Sequence, residues 1–418
     1  MTAAGAVLAS NKSRISVTAS SFIHNTLNSS NDDGGGLLQF EDSATGVIAG
    51  STISNTTAGR ASGLAVYSSA QVNITRSTFD HNTASQWGAA IVVSDQGTVV
   101  IASCSFKHNA AESSDGAVGV YDSSKAVITR SNFTDNTAGT GGAVGVWASA
   151  QAEAQESSQI KVIQCTFKDN TAENSTAIAV LDTAQANITT STFQNNNASK
   201  WGAAVVASKQ GKVTIDGCSF QSNTATTTDG AVGVYDSSEA VITRSNFTGN
   251  TANTGGAVGV WASAQVNIGL CVFKRNNAST SGAGIVAQES SQVSISQSTF
   301  TGNTAPKDTS VVVTGTARVN ITSSVFDHNK ASKWGAAVTV SKQGKVTVDS
   351  SKAVITRSNF TGNTAGTASA VGVWASAQAS ISVCVFERNN DQLLVQAYKR
   401  KRRARSLSAG ACFKATQP

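Results

Sequence analysis

The side chains that could do chemistry in this sequence are few, and most are copies of one another. Asp32 and Asp33 stand side by side next to Gly34, Gly35 and Gly36, a pairing that could hold Ca2+ or share acid–base work. Asp122 and Asp236 fall at the same place in two copies of one phrase, and Arg130, Arg244 and Arg357 behave likewise. They read as repeats of a position, not as partners in a pair. The four histidines, His24, His81, His108 and His328, all take the third place of a Phe-x-x-Asn motif. His81 and His108 belong to successive motifs and would make a metal pair. The same place holds Asp135, Ser222, Gly249 and Arg275 elsewhere, so it reads as a tolerant exposed turn, and neither a metal nor a cofactor is expected. Cys104, Cys165, Cys218, Cys271 and Cys384 each stand two residues before a Phe and never in successive motifs. Their Cα atoms would lie about 9–10 Å apart, too far for a disulfide. They read as buried free thiols acting as small apolar residues.

What positions these groups is a repeat. Tyr121–Gln151 recurs as Tyr235–Gln265 with three changes in 31 positions: Lys125/Glu239, Asp135/Gly249 and Gly139/Asn253. All three should lie in turns. Phe followed three residues later by Asn recurs from Phe22/Asn25 to Phe386/Asn389, mostly every 26 or 27 residues, with a degenerate unit, Ser-Thr-Ile-Ser-Asn, ending at Asn55. Two intervals, Phe133 to Phe167 and Phe326 to Phe360, are 34 residues long. The Trp-Gly-Ala-Ala phrase at Trp87, Trp201 and Trp334 shows a longer module of five units. Against it, each 34-residue interval reads as a unit from which about 20 residues have been cut.

Composition agrees with a β repeat. Charged residues are 13% and there are 36 Gly, two Pro and one Met, while 40% hydrophobic content is enough for a core. Apolar residues come in runs such as Ala-Val-Gly-Val, the length of strands, and β-branched residues abound. The expected fold is all-β: a right-handed parallel β-helix of about 14 coils of 26–27 residues, three short strands per coil, over residues 1–390. Phe106, Phe133, Phe220 and Phe247 should stack inward on their copies. Asn109, Asn136, Asn223 and Asn250 should form a side-chain ladder and take the tight, left-handed turn.

The Gly-Gly-Ala-Val segments at 141–144 and 255–258, together with the Phe-x-x-Asn series, resemble the repeats of chlamydial polymorphic outer membrane proteins. More broadly they resemble pectin-lyase-like β-helix proteins. The first resemblance implies a surface-exposed, adhesin-like chain. The second raises polysaccharide lyase or hydrolase chemistry, which would need acids and Arg or Lys clustered on one face, and no such cluster is legible.

The aromatic set is the remaining candidate. If Val144 and Val146 face inward, Trp147 faces out, and Tyr121, Tyr235, Trp261 and Trp374 share its column. Tyr121 with Trp147, and Tyr235 with Trp261, should form adjacent pairs able to stack on sugar rings or a protein partner. The expected role is a non-enzymatic, extracellular or cell-surface scaffold, adhesive or carbohydrate-binding, acting as a monomer. The alternatives are a polysaccharide lyase- or hydrolase-like enzyme, or a truncated remnant of one. A third reading, a bare spacer, predicts no ligand.

Net charge is +6, but residues 399–418 carry seven basic side chains and no acid, which leaves the rest near −1. A body that neutral is not a nucleic-acid surface. The run Lys-Arg-Lys-Arg-Arg-Ala-Arg-Ser within 391–418 reads as a basic tail or weak cap. No stretch approaches the roughly 18 apolar residues of a membrane helix. The first residues do not read as a signal peptide, so the natural chain is expected to extend further at its N-terminus, with an export signal there.

Overall fold

Alternation of side chains fixes the strands. In Lys125–Thr129 the inward residues Ala126 and Ile128 are buried and their neighbours are not, the period-two signature of a strand with one wet face. The computed structural model describes residues 6–27, 36–148, 157–341, 352–374, 377–390, 394–396 and 410–413. They form a parallel β-solenoid of about 13 turns with three sheets and no helix. The chain divides into two units, residues 1–214 and 215–418.

A complete turn carries four short strands instead of the expected three, for example Val118–Val120, Lys125–Thr129, Asn132–Thr134 and Thr137–Thr140. The first builds sheet 1, the second and third build sheet 2, and the fourth builds sheet 3. The extra division comes from a left-handed residue between the second and third strands, Arg130 (φ 48) in this turn and Arg244 (φ 49) in unit 2. Pairing is parallel, in simple register along sheet 1, as in Val118↔Val144 and Val144↔Ile178 in unit 1 and Val258↔Ile285 in unit 2. Sheet 3 carries register shifts, as between Ala172 and Asn174 in unit 1 and between Ala252 and Thr254 in unit 2.

Phe106, Phe133, Phe220 and Phe247 are all buried, and the series is only partly buried at its ends, Phe22 and Phe386. In unit 1, Phe106 and Phe133 lie 4.7 Å apart centroid to centroid, and Phe133 and Phe167 4.8 Å. In unit 2, Phe220 and Phe247 lie 4.7 Å apart, and Phe247 and Phe273 4.8 Å. These separations equal the spacing of hydrogen-bonded strands, so ring stacking and backbone pairing demand the same geometry.

The asparagines form the expected ladder. Asn109 Nδ2 donates to Asn136 Oδ1 at 2.9 Å and to the Phe79 carbonyl at 3.0 Å. Asn223 Nδ2 donates to Asn250 Oδ1 at 2.9 Å, and Asn250 Nδ2 to Asn276 Oδ1 at 3.0 Å. The ladder asparagines do not take the left-handed turn, however. That conformation falls one residue earlier, at His81, His108, Asp135, Ser222 and their equivalents. The side chain of Asn is needed inside, bonded to the next turn, while its predecessor bends the chain. The degenerate unit shifts accordingly: Ile53 pairs with Phe79, so Asn55 (φ 52) is the bending residue. Thr56 stands in the ladder and takes Asn82 Oδ1 on its N–H at 3.2 Å.

The two 34-residue turns keep their pairing on both sides, Lys125↔Gln159 in unit 1 and Arg318↔Lys352 in unit 2. Their surplus is confined to one corner, between Trp147 and Gln159 and between Val340 and Lys352. Near the C-terminus, Leu394–Gln396 pairs in parallel with Gly372–Trp374, so the described part of the expected cap is strand. The basic run itself lies outside the described residues. Cys104, Cys165, Cys218, Cys271 and Cys384 are buried and free, but they do not act as apolar filler. Each occupies a serine column: Ser77 Oγ donates to the Thr75 carbonyl at 3.0 Å and Cys104 Sγ to the Ala102 carbonyl at 3.4 Å. Burial pushes the Cys271 thiol up to about 11.

Candidate functional site

In sheet 1 the middle residue of each short strand points outward, yet it is buried like its neighbours. At Gly119, Gly145, Gly233, Gly259 and Gly372 a Cβ would run into the ring of the residue two places on: Tyr121, Trp147, Tyr235, Trp261 and Trp374 respectively. Glycine is required because the aromatic side chain folds back across its own strand. Each of the five expected aromatics therefore holds the equivalent outward place in its own turn, but each is half-buried, leaning on the sheet instead of standing free.

Two of these groups are locked by an aspartate that sequence reasoning passed over. Asp115 occupies the left-handed corner (φ 59) before Val118, and its side chain is fully enclosed. Tyr121 Oη donates to Asp115 Oδ2, and Trp147 Nε1, from the next turn, donates to Asp115 Oδ1 at 3.1 Å. The two rings are 6.4 Å apart and within 12° of parallel. Unit 2 repeats the arrangement: Tyr235 Oη and Trp261 Nε1 donate to Asp229, the latter at 3.1 Å, with the rings 6.5 Å apart. Room for the carboxylate comes from the next turn, where a Cβ on Gly145 or Gly259 would collide with it. A third copy, Asp308, lacks this setting, for Val312 takes the glycine place and no aromatic follows.

Burial pushes the Asp115 carboxyl up to about 7, against the opposing bonds from Tyr121, Trp147 and Ser114. Burial raises Asp229 in the same direction, and Asp308 rises to about 6. A carboxyl raised on folding binds its proton more tightly in the native state. It therefore stabilises below its unfolded pKa and loses that contribution as pH climbs to the folded value. Unit 1 is expected to lose on the order of a few kcal/mol between about pH 4 and 7 through Asp115. Asp115→Asn, whose amide oxygen still accepts from the Trp147 N–H while its NH2 can donate to Tyr121 Oη, should flatten that slope. Urea midpoints measured across this range check it, and parallel curves for the two proteins would refute it.

The aromatic run in unit 1 is longer than expected. Trp87 lies 5.4 Å from Tyr121, and the Arg60 guanidinium sits 3.8 Å over Trp87. Tyr67 and Tyr121 also pack on Ala61, Ala65 and Val92. The most exposed indoles are Trp201 in unit 1 and Trp334 in unit 2, at 39% and 45%, with Lys307 Nζ 5.3 Å from the Trp334 ring. All three of Trp87, Trp201 and Trp334 belong to the Trp-Gly-Ala-Ala phrase, a sequence signal that was visible but served only as a ruler.

The other candidates separate. Asp122 (φ 49) and Asp236 (φ 49) are turn residues, as expected, and Asp122 accepts from Ser94 Oγ at 2.7 Å. Arg244 pairs with Asp216. Asp32 and Asp33 lie outside the described residues. The histidine column is not merely a tolerant turn: His81 and His108 stack at 4.4 Å beside Asp80, because adjacent turns bring their side chains into register.

A family model described as "Right handed beta helix region" matches residues 2–111, 62–231 and 203–391. No curated protein matches the sequence. Among solved structures, that of the periplasmic alginate epimerase AlgG is similar at 10% identity, covering 73% of this chain and 77% of that one, with a TM-score of 0.31. A double mutant of the same protein gives 10% identity, 74% and 77% coverage and a TM-score of 0.27. At these TM-scores the likeness carries no argument about the chemistry of this chain.

Proposed function

We propose, for a chain that belongs to the right-handed beta helix family, a non-enzymatic role: an exported scaffold that holds polysaccharide or cell-surface glycan on the aromatic column of sheet 1. The observation that carries this reading is the pair of aspartate locks. Tyr121 with Trp147, and Tyr235 with Trp261, are fixed in orientation before any ligand arrives. Rings held in place lose little freedom on binding, and their faces suit the apolar faces of sugar rings. The carboxylates themselves are enclosed beneath the rings and bonded to them, so they orient the aromatics and are not placed to reach a bound sugar. The resemblance to adhesin-like repeat proteins supports a location outside the cell.

Polysaccharide affinity electrophoresis or a glycan array tests the proposal. Trp147→Ala and Trp261→Ala are each expected to weaken retention by about tenfold, the worth of one stacked ring, and the double variant further. Circular dichroism checks that the variants fold. Equal retention of wild type and double variant would reduce the protein to a spacer. Release of shortened oligosaccharides would favour the enzymatic alternative.

A further inference from the structure

We propose that Asp80, His81 and His108 form a site for a borderline divalent transition-metal ion of the Zn2+ class. His81 Nδ1 lies 2.9 Å and His108 Nδ1 3.1 Å from Asp80 Oδ1, and one ligand atom from each of the three lies within 4.8 Å of the others. On the far side of His108, Asp135 Oδ2 is 3.7 Å from Nε2 and supplies an outer carboxylate of the kind that orients metal-bound imidazoles.

The solenoid builds this cluster. His81 (φ 53), His108 (φ 49) and Asp135 (φ 53) are the left-handed residues of successive turns, so their Cα positions repeat at the strand spacing. Parallel pairing of Asp80 with Lys107 fixes the register. The stacked imidazoles are 4.4 Å apart, and small rotations of these exposed side chains converge their nitrogens on one ion.

Donor chemistry selects the ion. Two imidazoles and a carboxylate match Zn2+ and its neighbours in the transition series, which bind at about 2.0–2.2 Å. Ca2+ and Mg2+ prefer all-oxygen sets. Three protein ligands at an exposed turn leave a coordination position for water or a partner's side chain.

Unit 2 contains a control. The sequence Phe-Asp-His-Asn recurs at 326–329, and His328 Nδ1 again meets its neighbour, Asp327 Oδ1, at 2.6 Å. The same place one turn either side is Gly302 and Gly362. One Asp–His pair has a second imidazole and the other does not.

Isothermal titration of the full-length protein with Zn2+ tests the site. One high-affinity ion per chain is expected. His81→Ala and His108→Ala should each weaken it by at least the roughly 10–100-fold that loss of an outer-shell partner costs, while His328→Ala leaves it unchanged. Cu2+ loading should show two coordinated imidazole nitrogens by electron paramagnetic resonance in wild type and one in either variant. All three histidines are exposed, so folding should survive substitution. Absence of Zn2+ binding, wild-type affinity in His81→Ala and His108→Ala, or loss in His328→Ala would each overturn the proposal.

Discussion

Phe133→Ala is expected to destabilise unit 1 by about 3–5 kcal/mol, the range for removing a large aromatic from a core that cannot close around the gap. The ring is fully buried and stacked on both faces, 4.7 Å from Phe106 and 4.8 Å from Phe167. The backbone on either side is held by strand pairing, so collapse is blocked by the hydrogen bonds that define the turn. Phe22, at the start of the ladder, is only partly buried and pairs with Ile53. Phe22→Ala should have a clearly smaller effect. Denaturant titrations of both variants decide the matter, and equal losses would show that the inner column does not act as a stack.

Asn136→Ala should cost about 2–4 kcal/mol although it removes few atoms. Asn136 Oδ1 accepts from the Asn109 backbone N–H at 3.1 Å and from Asn109 Nδ2 at 2.9 Å. Asn136 Nδ2 donates to the Phe106 carbonyl at 3.1 Å and to Asn170 Oδ1 at 3.0 Å. Truncation strands several buried polar groups at once, and each costs about 1–3 kcal/mol, less whatever relaxation recovers. Filling the space with Asn136→Leu should not rescue stability, because the shortfall is in hydrogen bonds. Amide exchange supplies a local readout, for the Asn109 N–H should lose protection. A stable Asn136→Leu protein with Asn109 still protected would sink this account.

How far the sequence disclosed the site depends on whether a residue's role is satisfied within its own turn or by the turn above. The Phe and Asn columns were readable because a fixed period forces each copy onto the last. The bending residue was assigned to Asn, since Asn commonly adopts left-handed backbone; the demand for an internal amide at that place proved the stronger constraint. Asp115 and Asp229 were missed because Asp-Gly reads as an ordinary turn. Nothing local announces that the carboxylate will meet a Trp 32 residues later. The available signal is indirect: a glycine stands two places before Tyr121, Trp147, Tyr235, Trp261 and Trp374. The histidine pair is legible in the sequence, and the variety of residues filling the same column argues against it there. That argument concerns the column as a whole and says nothing of what one adjacent pair can do.

The overlong turns carry a lesson about inheritance. Pairing is in register on both sides of each overlong interval, so a change of chain length at that place leaves the stacked strands undisturbed. A gene of near-identical tandem units invites unequal recombination, and here the products of such events would remain foldable. Copy number can then drift between lineages or isolates while every surviving turn keeps its contacts, making the reach of the molecule, more than its surface chemistry, the trait most open to rapid change.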